Sequence, residues 1–187
     1  AVTAAGDIGD EDYVQASFAL AEEALGPVDI LVNCAGVSLP GRFALETIDI
    51  AVWDEMLRTN LRGTYLTCHT AIAGMKARQR GAIINIGSTA ANLALPGVSA
   101  YAASKFAVRA LTDSLIAECE GTGVRVAMVS PGPVNTPVWD RRSTPPPMTR
   151  EAMLQPDDIA DAAIWLIERP DNVRIDQILL RPTPVPA

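Results

Sequence analysis

The chain has 187 residues, 49% hydrophobic and 20% charged, which suits one globular domain with its own core. Its formal net charge of -7, without any Lys/Arg cluster, argues against nucleic acid or an anionic membrane surface as the main partner. No apolar run approaches the roughly 18 residues of a membrane span, and no signal peptide is recognisable. Cys34, Cys68 and Cys119 sit in apolar runs without metal-ligand spacing, so a cytoplasmic protein with reduced, buried thiols and no metal is expected.

In chain order, GDEDYVQASFALAEEALG reads as a helix with an acidic first turn, ended by Gly26-Pro27. VDILVNCAG (28–36) is a strand run, followed by a helix over 52–78. AIINIGS (82–88), a helix over 100–120, VRVAMVSPG (124–132), a helix over 156–168 and RIDQILLRP (174–182) complete the alternation. Apolar strand runs that each lead into a helix indicate a parallel sheet covered on both faces, an α/β architecture of three layers, α/β/α. Such sheets bind ligands at the carboxyl ends of their strands. NCAG, GSTA and PGPVNT fall at three of those ends.

The helix beginning SAYAASKFAVRAL places Tyr101, Lys105, Val108 and Leu115 on one face, within roughly an 80° arc. A buried ammonium near a phenol favours the phenolate and moves it from its usual pKa of about 10 toward the range where a general acid or base works. For YxxxK alone, a snorkelling lysine and a packed tyrosine are the better reading. Ser88 ends the AIINIGS strand in the same crevice, with a helix cap as its bland reading. Asn60 lies on the stripe of Trp53, Leu57 and Ala71, with backbone satisfaction as its bland reading. The four together favour chemistry. His69, mid-helix in TCHTA, reads as packing or surface, and Asp157-Asp158 as an acidic helix start.

These residues carry a resemblance. The sequence resembles the short-chain dehydrogenase/reductase family: Asn33-Cys34-Ala35-Gly36 is similar to its NNAG motif, Asn60 to its helical asparagine, Ser88 with Tyr101 and Lys105 to its serine and YxxxK, and Pro131-Gly132 through Thr136 to its PGxVxT loop. The final DNVRIDQILLRPT resembles the branch with serine and 3-hydroxy acid dehydrogenases. The resemblance implies a Rossmann-like doubly wound sheet and an oxidoreductase that moves hydride between NAD or NADP and a secondary alcohol or carbonyl. Tyr101 would be the general acid/base, Ser88 would orient the substrate oxygen, Lys105 would bind the nicotinamide ribose, and Asn60 would hold a relaying water through its helix backbone. Similarity places Asp7 and Ile8 at the adenine, Asn33, Ala35 and Gly36 along the ribose, and Pro131, Gly132, Val134 and Thr136 around the nicotinamide. The family also implies a homodimer or homotetramer, here through the two long helices with Leu61, Tyr65, Phe106 and Leu115.

The glycine-rich phosphate turn of such folds has no counterpart in GDIGDED, and VTAA resembles the third strand of the family fold. The 187 residues thus read as one Rossmann-type domain with its first two strands and helices missing, with 137–155 a substrate flap whose apolar members Val138 and Trp139 join Leu93 and Leu95 in a partly hydrophobic pocket. Arg141 and Arg142 in that flap read as solvated loop, with a substrate carboxylate as the alternative partner. The rival reading from another class is a truncated or catalytically silent scaffold that binds no dinucleotide. Residues upstream of Ala1 are expected in the native protein, with DILVN otherwise an exposed apolar edge. Intact mass of the native polypeptide checks this: a value of 19.8 kDa would refute it.

Overall fold

A computed structural model of the chain describes residues 1–39, 41–140 and 143–183. Helix α1 (Glu11–Leu25) begins at Asp10, whose carboxylate accepts from the Tyr13 N–H, and ends at Gly26, at φ 88°. Strands β1 (Ile30–Asn33), β2 (Gly81–Ile86), β3 (Val124–Pro131) and β4 (Gln177–Leu180) form one sheet in the order β1-β2-β3-β4. All three pairings are parallel, and the central strands β2 and β3 are buried along most of their length, as their apolar runs implied, whereas β1 and β4 at the edges are partly exposed.

Register decides which residues share a face. Leu31, Ile83 and Val126 align and point toward α1, α3 (Gly63–Ala77) and α4 (Ser99–Glu118), where they pack with Phe18, Met75 and Ile116. Ile84 and Ala127 point to the other face, which α5 (Pro156–Ile167) covers with Ile159, Ala163 and Leu166. The α5 start is a capping box between Gln155 and Asp158, the acidic signal read from the sequence. The result is the expected three-layer α/β/α arrangement.

Four expectations need correction. VTAA forms no strand: residues 1–5 have no neighbouring strand to complete a hydrogen-bond ladder, and the segment is tied down by the Tyr13 hydroxyl donating to the Ala4 carbonyl at 3.1 Å. The helix expected over 52–78 is broken in register, with α2 (Ile50–Met56) passing through a π-helical turn, Leu57–Arg62, into α3. Gly63 at that junction lies against Ile8, whose Cγ2 would be 2.6 Å from a Cβ there. Leu115 is buried in the core because α4 turns it to the sheet with Val108, so it is no part of an outer face. Cys34 is exposed on the loop beyond β1, whereas Cys68 and Cys119 are buried.

β1 pairs only with β2 among the described residues, and Ile30 and Val32, on the same sheet face as Ile84 but outside the α5 cluster, are 49% and 43% exposed. This is the apolar edge anticipated from DILVN. Val32→Lys is expected to lower concentration-dependent association in sedimentation velocity while leaving urea stability within about 0.5 kcal/mol. An unchanged sedimentation profile would mean that the edge drives no association.

Candidate functional site

The carboxyl ends of β1, β2 and β3 lead into the loops that carry most of the nominated residues. After β1, Asn33 is half-buried and Ala35 and Gly36 are exposed, a strip of backbone open to solvent. Gly36 lets the loop backbone come close to its neighbours: a Cβ there would lie 3.2 Å from Asn60 Oδ1 and 3.6 Å from Lys105 Nζ. The structure therefore brings Gly36, Asn60 and Lys105 together from three elements.

Asn60 sits in the π-helical turn, fully buried. Its Oδ1 accepts from the Val37 N–H at 2.7 Å, and its Nδ2 donates to the Val37 carbonyl and to Ser104 Oγ, each at 3.0 Å. Ser104 Oγ in turn donates to the Tyr101 carbonyl at 2.8 Å. One carboxamide thus ties the loop after β1 to the helical turn that carries Tyr101. The Asn60 carbonyl accepts from Thr64 Oγ1 at 2.8 Å. Ser104, a small residue beside Lys105, escaped notice because nothing in its spacing marks it as a partner of Asn60.

Lys105 is 7% exposed, on the buried face of α4 together with Ala102 and Val108. Its ammonium donates to the Ile86 carbonyl at 3.1 Å, the last residue of β2, and lies 6.0 Å from the centroid of the Tyr101 ring. Burial pushes the ammonium down to about 8, opposed by the nearby Cys34. Tyr101 is half-buried beside Leu39, Met56 and Ala100. Ser88, 8% exposed, accepts from the Ala90 N–H at 3.1 Å, so its bland capping role is present, on a short turn (Thr89–Ala91) that packs against α4.

A second buried network underlies the first. Thr67 Oγ1 donates to Asn33 Oδ1 at 2.6 Å, Asn33 Nδ2 to Asn85 Oδ1 at 2.8 Å, and Asn85 Nδ2 to Thr112 Oγ1 at 2.9 Å. Asn85 and Thr112 are fully buried, and they join β1 and β2 to α4 one turn beyond Val108. Asn85 was legible as a polar residue in the buried run AIINIG, yet was not singled out. Beside it, burial raises the Cys68 thiol to about 11.

The remaining nominated residues lie around this centre. Asp7 is exposed, with the Gly9 N–H at 2.7 Å and the Arg58 guanidinium at 2.8 Å holding its carboxyl below the ordinary range, and Ile8 packs on Gly63. Pro131 ends β3, and Gly132 donates its N–H to the Leu180 carbonyl at 2.8 Å; Val134 and Thr136 follow, half-buried. His69 is exposed and stacks on Tyr65, ring centroids 5.6 Å apart. Leu93 and Leu95 are exposed, Val138 and Trp139 half-buried, and Arg141 and Arg142 fall outside the described residues. A cleft of about 780 Å³ opens at the amino ends of the strands, lined by Gly81, Val124 and Arg174 among others, and holds none of the nominated residues. The polar side chains converge instead at the carboxyl ends of the strands.

A parallel sheet with a Tyr-Lys pair and a serine at its carboxyl end is the arrangement of a Rossmann-type fold of the short-chain dehydrogenase class. The chain belongs to the short-chain dehydrogenase family, whose model, "short chain dehydrogenase", matches residues 1–146. It is 37% identical over 173 residues to the "Inactive 2-(S)-hydroxypropyl-CoM dehydrogenase 2" of Xanthobacter autotrophicus, covering 86% of this chain and 74% of that protein. Among solved structures it is similar to serine dehydrogenase from Escherichia coli, with a TM-score of 0.81, 30% identity, and coverage of 94% of this chain and 73% of that one. It is also similar to a metagenomic short-chain oxidoreductase in complex with NADP, with a TM-score of 0.81, 33% identity, and coverage of 98% and 75%.

The Lys105 burial has a measurable sign. With a folded pKa near 8 against an ordinary 10.5, the unfolded chain binds more protons between those values, so stability rises with pH through that window. Lys105→Met is expected to be more stable than the parent in urea at pH 7, by on the order of 3 kcal/mol. The gain should shrink as pH approaches 10. A pH-independent difference would show that burial of the charge is not its source.

Proposed function

We propose that this chain catalyses hydride transfer between a nicotinamide dinucleotide and a secondary alcohol or ketone, with Tyr101 as general acid/base. The observation that carries the reading is the buried Lys105 ammonium on one face of α4 with the Tyr101 phenol. Below pH 8 the ammonium stays charged, and a cation in low dielectric favours a nearby phenolate. In the reductive direction the Tyr101 hydroxyl gives its proton to the carbonyl oxygen; in the oxidative direction its phenolate takes the alcohol proton. Ser88 donates to the same oxygen as its charge develops. Asn60 keeps the Tyr101 turn in place through Ser104.

The residues present suit the nicotinamide and its ribose. Lys105 Nζ has one described acceptor, Ile86 O, for three donor positions, and it lies beside the exposed backbone of Gly36. Lys105 would bind the ribose hydroxyls, and Val134 and Thr136 would lie along the ring. When bound, the nicotinamide supplies or accepts the hydride. NADP is the favoured form, because the similar metagenomic structure and a closed form of serine dehydrogenase were both solved with it. A 3-hydroxy acid or ketoacyl substrate follows from the similarity to serine dehydrogenase and suits the apolar Leu93, Leu95, Val138 and Trp139. A homo-oligomer joined through Leu61, Tyr65 and Phe106 belongs to the same reading, Tyr65 and Phe106 being 46% and 42% exposed.

One observation favours the rival, a silent scaffold: the similar Xanthobacter protein is named as inactive. Titration with NADPH and NADH, followed by nicotinamide fluorescence, separates the two, since a scaffold binds neither. In the active case, Tyr101→Phe is expected to lower turnover of a 3-hydroxy acid by about 10²-fold or more while leaving dinucleotide affinity within a few fold. Near-parental turnover of that variant would overturn the assignment.

A further inference from the structure

We infer that Arg150 is a positioning residue that holds the loop after β3, the one carrying Val134 and Thr136, in its ligand-receiving shape. The inference rests on the proposed function for what the loop receives, and on the structure for how the loop is held.

The chain leaves β3 through Gly132–Thr136 and returns at 150–155 to the point of departure. Val134 and Leu154 pair as a parallel bridge, the Asn135 N–H donates to the Leu154 carbonyl at 2.8 Å, and the Leu154 N–H to the Pro133 carbonyl at 3.1 Å. Across this neck lies the Arg150 side chain. One guanidinium nitrogen donates to the Thr136 carbonyl at 2.7 Å and to Asn135 Oδ1 at 3.1 Å, and the other pairs with the Asp140 carboxylate. Asn135 Nδ2 continues to Gln155 Oε1 at 3.0 Å, and Gln155 Nε2 donates to the Met153 carbonyl at 3.0 Å. Trp139 Nε1 donates to the Val134 carbonyl at 2.7 Å. The carbonyls of Val134 and Thr136, two of the four residues nominated for the nicotinamide, are therefore held by side chains from the segment beyond them.

A planar fork fixes direction as well as distance: the Thr136 carbonyl, Asn135 and Asp140 are all engaged at once. Lysine at this position satisfies one or two of these acceptors in no set plane. Arg150 is 30% exposed and Asp140 67% exposed, so their ion pair is screened and adds little to global stability. Its effect falls on loop geometry, and through that geometry on a ligand lying against Val134 and Thr136.

Three forms of the chain test this: parent, Arg150→Lys and Arg150→Ala. Two readouts are taken, hydrogen exchange at the amides of 134–140 against those of β2 and β3, and NADPH affinity by fluorescence. In Arg150→Ala the 134–140 amides are expected to exchange roughly tenfold faster with β2 and β3 unchanged, and NADPH affinity to fall by a similar factor. Arg150→Lys should lie between, and added methylguanidinium should restore part of the loss in Arg150→Ala. Unchanged exchange at 134–140 overturns the inference, as does faster exchange spread equally over β2 and β3, which marks general loosening. Faster loop exchange with unaltered NADPH affinity overturns the positioning role. If the parent binds no NADPH, the proposed function fails, and loop exchange alone then decides whether Arg150 holds the neck.

Discussion

The arrangement at the strand ends turns on one lysine ammonium taken almost wholly out of water. Removing a cation from solvent costs several kcal/mol even after relaxation, and Lys105 recovers little of this from its carbonyl partner Ile86. Three neighbours accommodate it. β2 ends at Ile86 and so presents a strand-end carbonyl to it, Gly36 withholds the side chain that would fill the space beside it, and Asn60 is held in place by Val37 and Ser104. The π-helical turn is part of this: it buries Asn60, where both ends of the carboxamide find partners.

The ties beneath the site serve register. In a sheet whose strands are apolar, hydrophobic burial alone does not fix how far each strand end projects beyond its neighbour. Asn33, Asn85 and Thr112 supply directional bonds that join β1, β2 and α4 at one level, and Thr67 adds α3. A satisfied buried network rigidifies what it joins, whereas one missing member would leave donors unpaired at high cost. The loop after β1 and the Tyr101 turn therefore keep their relative positions through Asn60, while a separate chain of hydrogen bonds through Asn85 ties β1 and β2 to α4 further along, at Thr112.

What the sequence disclosed follows from range. Strands β1 to β3 and α4 were legible because their apolar runs and their 3.6-residue stripe are local signals, and Lys105 and Asn60 because each breaks such a stripe. VTAA was misread because a strand exists only with a partner. Cys34 was misread because burial of a loop residue depends on whether the sheet edge beside it is covered. The π-helical turn passed unseen because its six residues are too few for a changed period to be read apart from the helices on either side. The neck around Arg150 was invisible for a different reason. Its partners Asn135, Asp140 and Gln155 lie five to fifteen positions away across a proline-rich stretch, where no periodicity relates them.

The buried cation also weighs on the choice between an active enzyme and a silent scaffold. A protein that only has to fold gains nothing from an ammonium in its interior, and an apolar side chain of similar volume in its place would be neutral or stabilising. The network tells less, because satisfied polar ties can serve packing specificity alone. Nor does Ser88, whose capping bond would persist without chemistry. The discriminating feature is thus the conjunction of the lysine with the phenol four residues before it on one helix. A residual fold can tolerate such a pair, whereas an enzyme of the proposed kind would give its electrostatic cost a use, in holding a ribose and in favouring the phenolate.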